Sequence, residues 1–301
     1  MSGARIDAIG KGWTSGLSKV LGFSEMGSSH GGVGVGGIDC YGSVFEPDLP
    51  GAGSAGIDTK GYGGGIIRLS AGGVLSVDGT ISADASTYVC YGAAGGSVWL
   101  TVGRLVGAAN GRISATGGRM TDMNAGRYGG GGRVAVYTAD GDFSGFAGTI
   151  GAYGSCRYNS STGIETIDGA AGTVYLASQV APKAGRVVID GGRAGISGQY
   201  AQLPVPEFGG DDPKNFKEVT VEVRNGGGVS FTENLKIAEL EYTKTKVSVK
   251  LNDHEVFIES MRHRNADRRP NRGWVAREIE NRGPNGLGRY LWNQGLLLLV
   301  K

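Results

Sequence analysis

Two short segments decide the fold class, and both occur in the stretch Gly131-Gly132-Arg133-Val134-Ala135-Val136 followed by Thr149-Ile150-Gly151-Ala152. Related copies of the first segment occur at 64–69, 95–100 and 171–176, and of the second at 5–8, 80–83 and 112–115. Apolar residues alternate with a period of two in the first segment, which is typical of a half-buried strand. The chain therefore repeats a strand unit, and helical spacing is absent from its first 200 residues.

The spacing of the copies indicates how the units are arranged. The distance from the first segment to the second is nearly constant, at 14, 15 and 16 residues, counted from Ile67, Val98 and Val134. The distance onward to the next copy grows from 17 to 21 to 24 residues. A constant half joined to a growing half is typical of a solenoid whose insertions collect on one side. The sequence predicts an all-β fold, a right-handed parallel β-helix (solenoid) with Gly-rich loop insertions on one side.

Alternation within the strands predicts which side chains form the core. The inward set is Ile67, Leu69, Val98, Leu100, Val134, Val136, Val174 and Leu176, and the outward set is Arg68, Trp99, Ala135 and Tyr175. On this register Val134→Asp destroys the fold, whereas Ala135→Asp is tolerated. Glycines at the corners are expected where φ is positive or where two coils approach closely.

Composition excludes several classes of protein. The 301 residues include 58 Gly but only 8 Pro, so a collagen helix is excluded. A hydrophobic fraction of 40% and a net charge of +2 disfavour disorder, and no apolar run is long enough for a transmembrane helix. The N-terminal residues lack the apolar stretch of a signal peptide. Three cysteines are too few for a disulfide framework, and whether Cys40 and Cys90 pair is left open.

Composition changes near residue 200 and predicts two regions. Residues 1–200 hold 48 Gly and 28 charged residues, whereas residues 201–301 hold 10 Gly and 30 charged residues. We expect Gly-rich β-helix repeats in 1–200 and a β-region in 201–301 that continues or caps the solenoid. Strands are predicted at 219–223, 229–231, 235–242, 247–251 and 256–258, with a final strand at 290–300.

The stretches GGSVWLTVGRLVGAANGRISATGG, GGGGRVAVYTADGDFSGFAGTIGAYG and GAAGTVYL resemble repeats of large, Gly-rich surface proteins of environmental bacteria of the planctomycete and verrucomicrobial type. The resemblance covers most of residues 4–190 and, more weakly, 245–300. It implies a secreted or surface-attached β-helix without enzymatic activity, and hence an extracellular or cell-surface location. Because such chains carry an export signal, this one is expected to be a fragment or to be exported in another way.

Motifs for catalysis, cofactors and metals are weak in this chain. The pattern G-x-S-x-G at 27–31 and the pattern G-x-G-x-x-G at 32–37 lie in Gly-rich sequence without a helix signal. Asp211 and Asp212 superficially resemble an acid pair of polysaccharide hydrolases, but stand beside Pro213 as in an ordinary turn. The histidines His30, His254 and His263 show no ligand spacing. We expect no catalytic residues, no cofactor and no metal site.

Two surfaces are candidates for binding. Trp99, Tyr137 and Tyr175 stand close together on the outward side of the strands and could stack on sugars, although aromatic residues also simply shield a sheet surface. The second surface is the basic segment 261–301, in which Arg268, Arg269, Arg272 and Trp274 could hold an anionic polymer, although such a segment is also typical of a solvated arginine loop. No nucleic-acid module is present, so the expected partner is a polysaccharide or another surface protein.

These observations favour a non-enzymatic structural or adhesive segment of a secreted or cell-surface bacterial protein. In this reading a rigid β-helix presents the Gly-rich loops 85–96, 117–131 and 153–171 to a partner. The alternative is a β-helix that binds or cleaves polysaccharide as a lyase or hydrolase does, an inference that rests on analogy of fold.

Overall fold

The computed structural model describes residues 3–14, 27–35, 39–54, 61–87, 91–121, 127–159, 162, 164–192, 200–205, 208–242, 247–263, 279–280, 289–292 and 296–299. These ranges are all-β, and their one helical turn is the 3-10 helix Pro213–Phe216. None of the helical structure in them is long and apolar enough to cross a membrane.

The strands follow one another along the chain with Gly-rich or polar connections. In the first part they are β1 (Arg5–Asp7), β2 (Ile66–Ser76), β3 (Thr80–Ser82), β4 (Ser97–Val106), β5 (Arg112–Ser114), β6 (Arg119–Met120), β7 (Arg133–Thr138), β8 (Thr149–Gly151), β9 (Cys156–Asn159), β10 (Ile164–Ile167) and β11 (Thr173–Ser178). The second part contains β12 (Arg186–Asp190), β13 (Ala201–Leu203), β14 (Thr220–Arg224), β15 (Gly228–Phe231), β16 (Leu235–Tyr242), β17 (Ser248–Lys250), β18 (Glu255–His263), β19 (Ile279–Glu280), β20 (Arg289–Trp292) and β21 (Leu296–Leu299).

Most strands belong to one ten-stranded sheet, which runs in the order β2-β4-β7-β11-β12-β14-β16-β18-β20-β21. Two four-stranded sheets accompany it, β1-β3-β5-β8 beside its first part and β13-β15-β17-β19 beside its second part. A small sheet, β10-β9-β6, is formed by residues of the long connections. We call β2, β4, β7 and β11 with the sheet β1-β3-β5-β8 the N-terminal stack. The C-terminal stack is β12, β14, β16, β18 and β20 with the sheet β13-β15-β17-β19.

The N-terminal stack confirms the register predicted from the spacing. Ile67 pairs with Val98, Val98 with Val134, and Val134 with Val174, all in parallel. The second segments form a parallel column in the same way, since Ile81 pairs with both Ile6 and Ile113, and Ile113 pairs with Ile150. Each repeat of the sequence therefore contributes one strand to each of two sheets.

Corner glycines join the two sheets of the N-terminal stack. Backbone N–H groups of Gly65, Gly96, Gly132 and Gly172 donate to the carbonyls of Ala8, Ala83, Ala115 and Ala152, over 2.7 to 2.8 Å. A Cβ on Gly132 would lie 2.1 Å from the carbonyl oxygen of Gly96. The glycines are therefore needed because successive backbones touch at this corner, which is one of the two reasons the sequence suggested.

Chain direction reverses between the two stacks, which the sequence analysis did not predict. β11 and β12 pair antiparallel, with Val174 opposite Val188, whereas the pairs β12–β14, β14–β16, β16–β18 and β18–β20 are again parallel. The connection between β11 and β12 spans only residues 179–185, too short for the crossover that a parallel pair requires. The sheet is therefore mixed, and it reverses well before the boundary expected at residue 200.

The reversal coincides with a change in the buried face of the ten-stranded sheet. A first core lies between the face that carries Val98, Val134 and Val174 and the sheet that carries Ile81 and Ile113. A second core lies on the opposite face, where Val187, Val221 and Leu240 pack against Val229 and Phe231. One continuous sheet is thus shared by two cores that lie on opposite sides of it.

Residues 39–54 cover the outer face of the N-terminal stack and correct the predicted exposure of Ala135. Val44 and Phe45 are fully buried and belong to the second core together with Ala135, Tyr137 and Tyr175. Strand β7 is buried on both faces as a result. The expectation that Ala135→Asp is tolerated is wrong, because Ala135 is 0% exposed.

In the C-terminal stack the strands predicted from alternation are confirmed to within a few residues. The range predicted as 235–242 coincides with β16, and the other four overlap β14, β15, β17 and β18. The single final strand expected at 290–300 is instead the antiparallel pair of β20 and β21.

Candidate functional site

The aromatic surface predicted from the outward column lies largely inside the protein. Tyr175 is 0% and Tyr137 6% exposed, and their hydroxyls donate to the carbonyls of Pro182 and Phe45 at 2.9 and 2.7 Å. Burial raises the pKa of both phenols. Trp99 is half-buried, and the Arg68 guanidinium carbon lies 3.8 Å from its ring centroid. The rings of Tyr137 and Tyr175 are therefore not accessible to a sugar, and the prediction that these two residues form a binding surface is wrong.

The four other predicted binding residues, Arg268, Arg269, Arg272 and Trp274, lie outside the described residues. The arginine-rich surface stays a prediction.

An open cleft of about 460 Å³ lies where three Gly-rich connections meet the sheet β1-β3-β5-β8. Its base is formed by residues of β5 and β8, and its walls by residues from the loops 85–96, 117–131 and 153–171. Thr87, Arg119 and Tyr153 each come from a different one of these loops. We call this cavity the loop cleft. It brings together the three segments that the sequence analysis proposed as the surface presented to a partner.

The loop cleft combines apolar surface with hydroxyl groups and holds few charges. Asp84 accepts from Arg112 Nη2 at 3.0 Å and from the backbone N–H of Thr116 at 2.7 Å. Ser114 and Thr149 are also among the residues that line the cleft. The phenol of Tyr153 has a raised pKa because it is partly buried, so it is neutral and can donate a hydrogen bond. Hydroxyls, one ion pair and an aromatic ring are groups that suit a polyhydroxylated ligand.

A second open groove, of about 540 Å³, marks the place where the first core ends. Apolar residues of the N-terminal stack, among them Phe146 and Ile150, line one side, and charged residues of the C-terminal stack line the other. On that side Arg186 Nη1 contacts carboxylate oxygens of both Glu222, at 3.0 Å, and Glu241. We call this cavity the ionic groove.

The ion pairs of this groove extend along the sheet face that the second core leaves uncovered. Arg224 binds Glu222 at 3.0 Å and Asp190 at 2.6 Å, and Arg262 lies 3.7 Å from Glu241. Glu222 and Glu241 are 2% and 4% exposed. Because every carboxylate contacts a guanidinium, the network stabilises a sheet face that carries charged instead of apolar side chains.

Glu222 and Glu241 form an acid pair that the sequence analysis missed. They lie directly opposite each other on the neighbouring parallel strands β14 and β16. Neighbouring strands of a sheet are about 4.8 Å apart, so the two side chains leave the same face of the sheet close together. In the sequence each is one glutamate between apolar residues, in Val221-Glu222-Val223 and Leu240-Glu241-Tyr242, which predicts a solvent-facing side chain. Alternation fixes the face of each residue, but only the register between the two strands brings the pair together.

The acid pair considered in the sequence analysis has a structural role. Asp211 accepts hydrogen bonds from Ser43 Oγ at 2.5 Å and from the backbone N–H of Val44 at 2.7 Å. Burial raises the pKa of Asp211, although these two bonds oppose the shift. Asp212 caps the 3-10 helix by accepting from the backbone N–H of Lys214. The two side chains thus hold different segments of backbone.

A buried polar cluster lies where residues 27–42 cross the N-terminal stack. Arg133 is fully buried, with Nε donating to the carbonyl of Tyr41 at 2.9 Å and Nη1 to Thr173 Oγ1 at 3.0 Å. His30 stacks on Tyr41, and its Nδ1 donates to the carbonyl of Gly95 at 2.7 Å. Burial, together with the nearby Arg133, lowers the pKa of His30 to about 3. The ring is therefore neutral at pH 7.

The remaining titratable candidates form no site in the described ranges. Cys40 is a free, buried thiol that donates to the carbonyl of Gly31, and burial raises its pKa to about 12. Its possible partner Cys90 lies outside the described residues. Among the residues that the structure describes, no three His, Cys, Asp or Glu side chains come together as a metal site would require.

Comparisons with protein-family models, with curated proteins and with solved structures found no match to this chain. The resemblance to Gly-rich bacterial surface repeats therefore stays a prediction.

Proposed function

We propose that this chain is a non-enzymatic, adhesive segment of a secreted or cell-surface bacterial protein, and that each of its two stacks is a right-handed parallel β-helix joined to the other at the antiparallel pair of β11 and β12. The loop cleft would be its contact with a partner, and the partner a polysaccharide chain. In this proposal the two stacks form the rigid support, and the Gly-rich connections between their strands form the recognition surface.

The convergence of three loops on one cleft is the observation that carries this proposal. Each coil of the N-terminal stack contributes one loop, so a partner would contact several successive coils at once. The cleft also holds hydroxyls, Tyr153 and one ion pair, which can exchange hydrogen bonds with sugar hydroxyls without a large desolvation penalty. Its open shape suits a section of a long chain better than an enclosed small molecule.

The chemistry of the loop cleft favours binding over cleavage. Hydrolysis of a glycosidic bond requires two carboxyl groups, of which one must be protonated to act as a general acid. Asp84 is the one carboxylate among the described residues that line the cleft, and it is paired with Arg112. A retained but intact polysaccharide is therefore the expected behaviour.

A panel of immobilised acidic and neutral polysaccharides tests this function, with retention and newly formed reducing or unsaturated ends measured together. We expect retention of the chain on at least one polysaccharide without cleavage. Tyr153→Ala should weaken retention at least tenfold, because it removes the aromatic ring and the hydroxyl from the cleft. Tyr200→Ala is the matched control, since Tyr200 lies in the C-terminal stack beside Lys250. Retention on none of the polysaccharides, or an equal loss in both variants, would contradict the proposal.

A second candidate function is polysaccharide cleavage in the ionic groove, which the proximity of Glu222 and Glu241 favours. Its weakness is that both carboxylates contact Arg186, whereas a general acid has to be held protonated. New chain ends that appear with the wild-type protein and disappear with Glu241→Gln would establish this activity. They would also exclude the non-enzymatic proposal.

A further inference from the structure

Positive charge exceeds negative charge in the loop cleft. The described residues that line it carry two guanidinium groups, Arg112 and Arg119, and one carboxylate, Asp84. Both oxygens of that carboxylate are engaged within the protein, since Oδ2 accepts from Arg112 Nη2 and Oδ1 from the backbone N–H of Thr116. The acidic group of this lining is therefore directed at donors of the protein, and the charge that a ligand meets is positive.

Arg112 remains accessible although it is paired with Asp84. Its side chain is 48% exposed, whereas that of Asp84 is 16% exposed. A guanidinium carries five N–H groups in a planar fork, and the bond to Asp84 uses Nη2 alone. The outer side of this ion pair is therefore cationic, and its further donors can bind an anionic group of a ligand.

The strand register places hydroxyl groups on both sides of Arg112. Thr80 of β3 and Thr149 of β8 are its partners in the two parallel pairs that β5 makes. Side chains of paired residues leave the same face of a sheet, and neighbouring strands are about 4.8 Å apart. A polymer that crosses these strands would meet a hydroxyl, a guanidinium and a second hydroxyl in turn. This pattern suits a sugar chain that carries a charged group among its hydroxyls.

Arg119 supplies the second charge from the wall of the cleft. It lies on β6 beside Cys156 of β9, and both residues line the cleft. The guanidinium carbon of Arg119 is 3.8 Å from the ring centroid of Tyr158. Stacking engages the face of a guanidinium and not the N–H groups in its plane, so this charge is held in a defined place.

Backbone hydrogen bonds tie the three loops of the cleft to one another. Gly117 N–H donates to the carbonyl of Tyr153 at 2.8 Å and joins the second loop along the chain to the third. Gly118 N–H donates to the carbonyl of Ala93 at 2.9 Å and joins the second loop to the first. The walls are therefore in position before a ligand binds, which lowers the entropy that binding has to overcome.

We propose that the loop cleft binds an anionic polysaccharide, whose carboxylate or sulfate groups contact Arg112 and Arg119 while a sugar ring contacts Tyr153. This inference rests on the proposed function and names the class of polysaccharide. Hydrogen bonds between a guanidinium and an anionic oxygen are about twice as strong as those between neutral groups, and the planar fork can bind two oxygens at once. A neutral polysaccharide would make the weaker bonds only.

Four immobilised polymers test the inference: polygalacturonate and its methyl ester, and dextran sulfate and dextran. Within each pair the sugar chain is the same and only the anionic groups differ. We expect the purified full chain to bind a charged polymer about tenfold or more tightly than its uncharged counterpart, and the difference to shrink as salt is added. The pair that shows the difference identifies the anionic group as carboxylate or sulfate.

Two outcomes of this comparison would overturn the inference. They are equal or tighter binding of the uncharged polymers, and binding of none of the four. A neutral polysaccharide retained in the wider panel would then leave the proposed function standing, whereas retention on nothing would remove both.

Arginine variants locate the anion within the chain. Arg119→Gln should weaken binding of the charged polymer by about tenfold and change binding of the uncharged one by less than about twofold. Arg104→Gln removes the same charge from an exposed position on β4, outside the cleft, and is the matched control. Equal effects of the two variants, or no effect of Arg119→Gln, would place the anion elsewhere, as on the basic segment 261–301, and overturn the inference.

Arg119→Lys separates loss of charge from damage to the wall of the cleft. It removes the planar fork that stacks on Tyr158 but keeps the positive charge. We expect Arg119→Lys to bind the charged polymer more tightly than Arg119→Gln does. An equal loss of binding in both variants would show that the structure of the wall, and not its charge, is responsible, and would contradict the inference.

Discussion

The two stacks share one sheet but hold their successive strands together by different means. In the N-terminal stack the corners close through backbone contacts between glycines, such as Gly132 against Gly96. In the C-terminal stack few glycines remain, Phe231 and Leu240 fill the core, and arginine–carboxylate pairs cover the opposite face. The comparison teaches that successive strands can be held together either by leaving out side chains where backbones touch or by pairing charged side chains across the sheet. Each solution should be sensitive to a different kind of substitution.

The largest expected effect concerns the burial of both faces of the N-terminal stack. Ala135→Asp places an unpaired carboxylate against Phe45 and Tyr175 in the second core, and should cost about 4 kcal/mol or more of unfolding free energy. Urea denaturation monitored by circular dichroism measures it. Ser70→Asp, at an exposed position on β2, should change stability by less than about 0.5 kcal/mol. Equal tolerance of the two variants would show that residues 39–54 do not cover this face.

The glycine corners should be nearly as sensitive. Gly132→Ala brings a Cβ to 2.1 Å from the carbonyl oxygen of Gly96, which cannot move without disturbing the neighbouring strand, so we expect a loss of about 3 kcal/mol of unfolding free energy. Gly72→Ala is the control, since a Cβ there meets nothing within 4 Å. The midpoint of thermal unfolding distinguishes the two. If both changes had the same effect, close backbone contact would not be the reason for these glycines.

Acid should weaken the N-terminal stack through His30. Its pKa is about 3 in the folded chain and about 6.5 when unfolded, so the unfolded state binds the extra proton between these values. His30 therefore contributes full stability above pH 6.5, and this contribution falls by about 1.4 kcal/mol per pH unit as the pH drops towards 3.

His30→Gln separates this contribution from that of the carboxylates, Asp211 among them. The difference in unfolding free energy between the wild type and His30→Gln should change with pH across this interval. A pH-independent difference for His30→Gln would contradict the buried, neutral state of the ring.

The smallest effect is expected in the ionic groove of the C-terminal stack. Glu222→Gln removes one carboxylate that both Arg186 and Arg224 contact, and should cost about 1 to 2 kcal/mol, because both arginines keep a second acidic partner and reach solvent. The loss should shrink at high salt. A salt-independent loss would show that packing, and not charge, is affected.

Sequence alone gave the register of the N-terminal stack because its strands carry matching segments. Spacing and alternation were sufficient to place Ile67, Val98, Val134 and Val174 in one column. They did not predict the reversal between β11 and β12, which depends on the short connection 179–185 and not on the strands themselves. Alternation also cannot show whether an outward face is covered later by another segment, as residues 39–54 cover Ala135.

The candidate site was predictable in part. The loop cleft follows from where the insertions occur in the repeat, and the loops were identified by their variable length. The acid pair Glu222–Glu241 was not, because the C-terminal stack lacks a repeated segment from which its register can be aligned. Tyr137 and Tyr175 show the same difficulty, since an aromatic residue on an outward position has the same pattern whether it binds a ligand or is buried.

The antiparallel connection between β11 and β12 also has a consequence for the order of folding. Val174 and Val188 meet across only 14 residues of chain, whereas Val98 and Val134 are 36 residues apart and Val134 and Val174 are 40. Closing the shorter loop costs less conformational entropy, so this hairpin is the contact with the lowest contact order in the middle of the sheet. Nucleation there would give both stacks a template to which further strands are added outward, one at a time. Pulse-labelled hydrogen exchange should then protect the amides of β11 and β12 before those of β2 and β18.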